Sequence, residues 1–172
     1  MTDATLGDYA DYTESVPREW SVAGHIDVGH FLLLFDHGTD AFRERLGIGR
    51  AYGESCARGL FVAEAHLTYA KEVRAGEVIG IRTRLLGAAP RKLHVFHQMR
   101  RAGDAMIAAT AELLLVHVDR ALGRAAEFPP EVLQRMQALV ARDATEPIPP
   151  QVGRAIQLNA RPYDQPMIPV RQ

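Results

Sequence analysis

The stretch VGHFLLLFDHGTDAFRERL, residues 28–46, decides the fold. Its apolar residues Val28, Phe31, Leu32, Phe35, Phe42 and Leu46 recur at helical spacing. Leu33 and Leu34 widen that stripe, so the helix needs cover on more than one side. Asp27 stands where an N-cap belongs, and Gly47 and Gly49 stand where the helix should stop.

Outward from this helix the pattern changes to period two. Residues 60–73, 78–86, 92–101 and 105–119 are rich in branched and aromatic side chains, with turn signals at Ala75-Gly76, residues 87–90 and Ala102-Gly103-Asp104. They predict four antiparallel strands. The run AELLLVHVD is nearly all apolar, as befits a strand central in its sheet or covered on both faces. After Pro129-Pro130, Leu and Val spacing over residues 131–140 predicts a second helix. One long helix followed by long antiparallel strands is the pattern of an α+β domain whose sheet curls around the helix. Residues 1–13 read as a leader, 14–143 as the domain with its C-terminal helix, and the proline-rich 144–172 as an extended arm.

Composition narrows the function. The 172 residues are 47% hydrophobic, enough for one substantial core. The balance of 20 Lys plus Arg against 21 Asp plus Glu gives no basic field for nucleic acid or an anionic membrane. One cysteine, Cys56, allows no intramolecular disulfide, and no apolar run approaches the roughly 20 residues a bilayer requires. The expectation is a cytoplasmic protein.

The residues also carry a resemblance. GHIDVGHFLLLFDHGTDAF, residues 24–42, resembles the motif of the 4-hydroxybenzoyl-CoA thioesterase-like hotdog family, in which Gly-His-Met-Asn opens the central helix and Tyr-Leu-x-x-Phe-Asp continues it. FVAEAHLTYAKEVRAGEVIGIRTRLLG resembles that family's second and third strands, KLHVFHQM its fourth and AATAELLLVHVD its fifth. The similarity spans about residues 14–154 and is nearest the branch of betainyl-CoA and carnitine-pathway thioesterases. It implies hydrolysis of a small or medium acyl-CoA by carboxylate-assisted water attack. It further implies no metal or other cofactor beyond the CoA of the substrate, and a site completed in a homodimer or homotetramer.

Such chemistry needs a carboxylate to activate water and backbone N–H donors aimed at the developing oxyanion. A helix N terminus supplies the donors, because its first amides lack partners within the helix. The family usually reads Asp-Tyr-Asn-Gly-His-Met-Asn, where this chain reads Ser21-Val22-Ala23-Gly24-His25-Ile26-Asp27. The usual acid is Ser21 here, and a carboxylate stands instead at Asp27, which is either a relocated base or only the helix cap. Glu64, inside a strand with Leu60, Val62, His66 and Thr68 expected on its face, is either a second base or a solvated strand residue. His25 either orients a carboxylate or substrate, or satisfies nearby loop backbone. The resemblance further implies that Ser21, Gly24, Val28, Gly29, His30 and Phe31 surround the substrate.

Other constellations are weaker. His94 and His97 differ by an odd number on one strand and so point to opposite faces, and His25, Asp27 and His30 lack the spacing of a zinc motif. Ser21 and Cys56 lie in no nucleophile elbow. Arg82, Arg84, Arg91 and Lys92 either meet CoA phosphates or are merely solvated. Two non-hydrolytic readings stay open: an acyl-CoA or acyl-carrier binding module, and a dehydratase or hydratase.

Overall fold

The long helix forms where its periodicity places it. In a computed structural model describing residues 6, 9–156 and 158, α1 spans Val28–Leu46 and ends at Gly47, whose φ of 75° is the left-handed conformation that glycine adopts most easily. Phe31, Leu34, Phe35, Thr39, Phe42 and Leu46 form its buried face. Gly38 lies on that face as well, and a Cβ there would stand 3.1 Å from two carbons of Ile81, so the glycine sets how closely helix and sheet approach.

The sheet curls around this face. Its strands are β1 (Tyr12–Ser15), β2 (Arg58–Tyr69), β3 (Val78–Ala89), β4 (Lys92–Arg101), β5 (Ile107–Asp119) and the short β6 (Arg124–Ala125). Their order is β1-β3-β4-β5-β2, with β6 paired to β5 and every pairing antiparallel. This is the α+β hotdog arrangement. The four long strands and the second helix, α3 (Pro130–Asp143), lie where the patterns predict. Sequence periodicity gives no sign of β1, β6 or the short α2 (Arg50–Cys56), and β1 takes up Tyr12 and Thr13 from the stretch read as a leader.

Two expectations need correction. A bulge between Val62 and Glu64 shifts the register of β2 against β5, so that Glu64 pairs with Leu114 and not with the core-facing Leu113 or Leu115. Glu64 therefore shares the outer face with His66 and Thr68, and Leu60 and Val62 lie on the other. The second correction concerns α1, whose further apolar residues find no full cover among the described residues: Val28, Leu32 and Leu33 are 64%, 48% and 39% exposed.

The two edges of the sheet differ. Beyond β1, the free backbone donors of β3 are taken by carboxylates, with the Thr83 amide donating to Asp11 Oδ2 at 2.7 Å and the Leu85 amide to Asp143 Oδ2 at 2.8 Å. That edge is closed. Among the described residues nothing pairs with the outer edge of β2, where Phe61 and Val62 are each 52% exposed.

After Asp143 the chain crosses the outer face of the sheet. Arg84, only 4% exposed, donates to the carbonyls of Asp143 and Pro147 at 2.7 Å each and of Glu146 at 3.1 Å. Arg82 pairs with Glu146. Farther along, the Gly153 amide donates to Glu112 Oε2 at 2.8 Å on β5. Phe96, flanked by Arg84 and Glu112 in the register, is wholly buried beneath this arm. Arg82 and Arg84 are thus committed to the arm and are not free for phosphate. The rest of the proline-rich stretch, residue 157 and residues 159–172, lies outside the described residues.

Candidate active site

A two-residue hairpin delivers the chain into α1. Val22 and His25 exchange backbone hydrogen bonds of 2.7 and 3.2 Å around Ala23 and Gly24, which both take positive φ, 52° and 93°. Glycine suits this turn, and the alanine beside it is strained. Ile26 is buried and its amide donates to Val73 at 3.0 Å, fixing the hairpin to the β2–β3 connection. His25 is held partly exposed at the mouth of the first helical turn.

Asp27 caps that turn. Its Oδ1 accepts from the His30 amide at 3.1 Å, and its carbonyl accepts from the Phe31 amide at 3.3 Å. The first two amides, those of Val28 and Gly29, find no acceptor among the described residues. They are the groups left over when a helix begins, and they concentrate the positive end of a 19-residue dipole. The His30 ring stacks on Trp20, with centroids 4.6 Å apart and planes 19° from parallel. His30 Nδ1 lies 3.0 Å from Asp27 Oδ1 but out of line for a hydrogen bond.

Beside the first turn opens a cavity of about 340 Å³, lined by His25, Val28, Phe31, Tyr69, Lys71 and Glu72 among others. Phe31 and Tyr69 meet edge to face at 5.2 Å, and burial pushes the Tyr69 phenol pKa upward. Lys71 is drawn toward Asp104, 3.0 Å from its Nζ.

Of the residues singled out by sequence, His25, Val28 and Phe31 line this cavity, Asp27, Gly29 and His30 build the turn beside it, and Gly24 makes the hairpin. Ser21 is exposed on the approach to that hairpin and is not among the lining residues. Glu64 lies elsewhere. It lines a separate hollow of about 570 Å³ on the outer sheet face, with His66, His94, Glu112 and Arg154. His94 and His97 do face opposite ways, and among the described residues no group of three His, Cys, Asp or Glu can hold a metal ion. Trp20, Tyr69 and Glu72 escaped the sequence reading. Trp20 is the chain's one tryptophan, which was a usable signal, whereas Glu72 sits in the charged run KEVRAGE and reads as solvated.

With this geometry in place, comparison with known proteins places the chain in a family. A model of the thioesterase-like superfamily matches residues 10–136. The chain belongs to that superfamily. It is 34% identical over 148 residues to a betainyl-CoA thioesterase of Pseudomonas aeruginosa, covering 86% of this chain and 93% of that protein. The crystal structure of a putative thioesterase from Pseudomonas putida KT2440 superposes with a TM-score of 0.76 at 32% identity, over 88% of this chain and 97% of that one. A hypothetical protein from Staphylococcus aureus in complex with CoA shares the fold, with a TM-score of 0.77 at 23% identity over 86% and 93% of the two chains. Among the described residues no helix is long and apolar enough to cross a membrane.

Proposed function

We propose that this superfamily member hydrolyses a short acyl-CoA thioester at the N terminus of α1. The observation that carries the reading is the pair of unaccepted amides, Val28 and Gly29, beside an apolar cavity and a carboxylate. In this reading the thioester carbonyl oxygen lies against the two amides, and Asp27 takes a proton from a water molecule. The water oxygen attacks the carbonyl carbon, the oxyanion is held by the amides, and the C–S bond breaks as the proton held by Asp27 passes to the leaving sulfur, releasing the carboxylic acid and CoA and restoring the carboxylate. His25 and His30 flank the reacting group, and Phe31 and Tyr69 wall the acyl pocket.

A cavity of about 340 Å³ suits a small acyl group. Aromatic walls with Glu72 at the rim favour a cationic one, in keeping with the substrate named for the Pseudomonas aeruginosa relative, betainyl-CoA. The assembly proposed is a homodimer through the open β2 edge, which also covers Leu32 and Leu33.

The test is CoA release, with chelator present, from a panel of betainyl, short aliphatic and aromatic CoA esters. Asp27→Asn keeps the helix cap and removes the base, so turnover should fall by roughly a hundredfold or more. Glu64→Gln should stay within about threefold of wild type, because its side chain faces away from the cavity. Unchanged turnover in Asp27→Asn would leave that residue as a cap alone. Tight CoA binding without turnover across the panel would favour the binding-module reading, which the replacement of the family's usual acid by Ser21 keeps in view.

A further inference from the structure

Two charged residues just past the end of β2, Lys71 and Glu72, line the acyl cavity beside Phe31 and Tyr69. The segment that carries them is fixed at both ends. The Ala70 and Lys71 amides both donate to the Ala108 carbonyl, at 2.8 and 3.0 Å, and the carbonyl of the buried Val73 accepts from the Ile26 amide at 3.0 Å. A cation and an anion at neighbouring positions in one cavity wall would cancel if they met. Here they are kept apart. The Lys71 ammonium is turned to Asp104 in the β4–β5 turn, with Nζ 3.0 Å from Oδ2 and 3.4 Å from Oδ1. The half-buried Glu72 has no hydrogen-bond or ion-pair partner for its carboxylate among the described residues.

Asp104 is itself held in place. Its Oδ2 accepts from Arg101 Nη2 at 2.6 Å and its Oδ1 from the Met106 amide at 2.9 Å. Arg101 foremost, then that amide and Lys71, hold its carboxyl well below the usual carboxylate range, so it is fully charged at neutral pH. Through Nη1, Arg101 also donates to the Glu72 carbonyl at 3.2 Å, and one guanidinium thus ties the anchor of Lys71 to the backbone of Glu72. A second carboxylate, Glu77, lies 3.8 Å from Arg101. Lys71 and Arg101 are therefore matched by Asp104 and Glu77, and Glu72 is left as the unmatched charge of this cluster.

Resting on the thioesterase reading, we propose that Asp104 is a positioning residue for acyl selection: by holding the Lys71 ammonium away from Glu72 it keeps the cavity rim negative, so that a cationic acyl group is preferred to a neutral one of the same shape. A partly buried wall has an effective dielectric well below that of water, so an ammonium freed to reach Glu72 cancels the charge that the acyl group meets.

Two esters that differ only in charge test this, betainyl-CoA and its uncharged isostere tert-butylacetyl-CoA, in which carbon replaces the quaternary nitrogen. Wild type should favour the betainyl ester in kcat/KM. Asp104→Asn keeps an acceptor for the Met106 amide and releases Lys71. The preference should then fall by at least roughly tenfold through KM of the betainyl ester, while kcat and KM for the isostere stay within about twofold. Adding Lys71→Met should restore the preference, because the freed charge is gone and Glu72 is unmatched again. A merely structural role for Asp104 predicts equal losses for the two esters and no rescue. Equal kinetics of the two esters in the wild type, an unchanged ratio in Asp104→Asn, or a lost ratio that Lys71→Met fails to restore would overturn the proposal and leave the thioesterase reading intact. If the wild type hydrolyses neither ester, calorimetry with the same two compounds reads the ratio as affinities. A betainyl preference that Asp104→Asn abolishes and Lys71→Met restores would then uphold the charge selection and remove the hydrolytic reading, and equal affinities would remove both.

Discussion

His97 shows how one buried residue can be read from its partners alone. It is fully buried between α1 and β3, with Nε2 3.0 Å from Thr39 Oγ1 and Nδ1 3.0 Å from Thr83 Oγ1. Thr39 gives its hydroxyl proton to the Phe35 carbonyl at 2.8 Å, so it can only accept from the ring. The ring therefore carries its proton on Nε2, and Nδ1 accepts from Thr83. Burial pushes the His97 pKa down from 6.5 to about 4. Because the folded value lies below the unfolded one, the stability tied to neutral His97 is complete above about pH 6.5. It is lost as pH falls toward 4, by on the order of 3 kcal/mol. Urea unfolding should show this loss between pH 7.5 and pH 4.5 in the wild type and a flatter profile in His97→Gln. Equal slopes in the two proteins would assign the acid sensitivity to other groups.

Among the elements, the C-terminal arm is the one whose place depends on a single side chain. Arg84 donates to three carbonyls of residues 143–147, so Arg84→Ala removes three charge-assisted bonds and leaves buried acceptors unpaired. The expected destabilisation is about 2–4 kcal/mol, or roughly 4–16 °C in Tm for a chain of this size. Hydrogen exchange should rise first over residues 144–153 and at Phe96, and protection that stays unchanged there would mean the arm is held by other contacts. The arm was legible as a proline-rich extension, but nothing in its sequence says which face it crosses. The same limit appears elsewhere. The α1 stripe and the four long strands carry enough repeats of their period to be read. Tyr12–Ser15 is too short to show one, and α2, RAYGESC, has no apolar stripe. The bulge at Ala63 is invisible because Val62, Ala63 and Ala65 are tolerated on either face, so Glu64 keeps His66 and Thr68 on its face but is parted from Leu60 and Val62. At the site, the helix start was legible from Asp27 and the glycines. Trp20 and Glu72 are brought to it by the hairpin and by the end of β2, which are tertiary facts.

For the whole molecule the decisive asymmetry is between its two sheet edges. One is closed by β1 and by the carboxylates of Asp11 and Asp143, and the outer face is crossed by the arm, so stacking of sheets back to back is obstructed. Among the described residues the β2 edge remains open, with the apolar Phe61 and Val62 exposed on it and Leu32 and Leu33 exposed on α1. In the proposed dimer a two-fold axis through β2 satisfies the edge and covers Phe61 and Val62. Light scattering should therefore give twice the chain mass for the wild type. Val62→Asp places two like charges near the axis in a desolvated patch, and should shift the protein to a monomer while circular dichroism shows the fold retained. Because β2 ends at Tyr69 on the cavity wall, the seam of the proposed dimer runs beside the proposed reaction centre, and the monomer should lose acyl-CoA hydrolysis by roughly a hundredfold or more. Arg84→Ala, on a face the proposed dimer does not use, should leave the mass unchanged. A monomeric variant with wild-type kcat and KM would show that each chain holds a complete site, and would remove the dimer requirement.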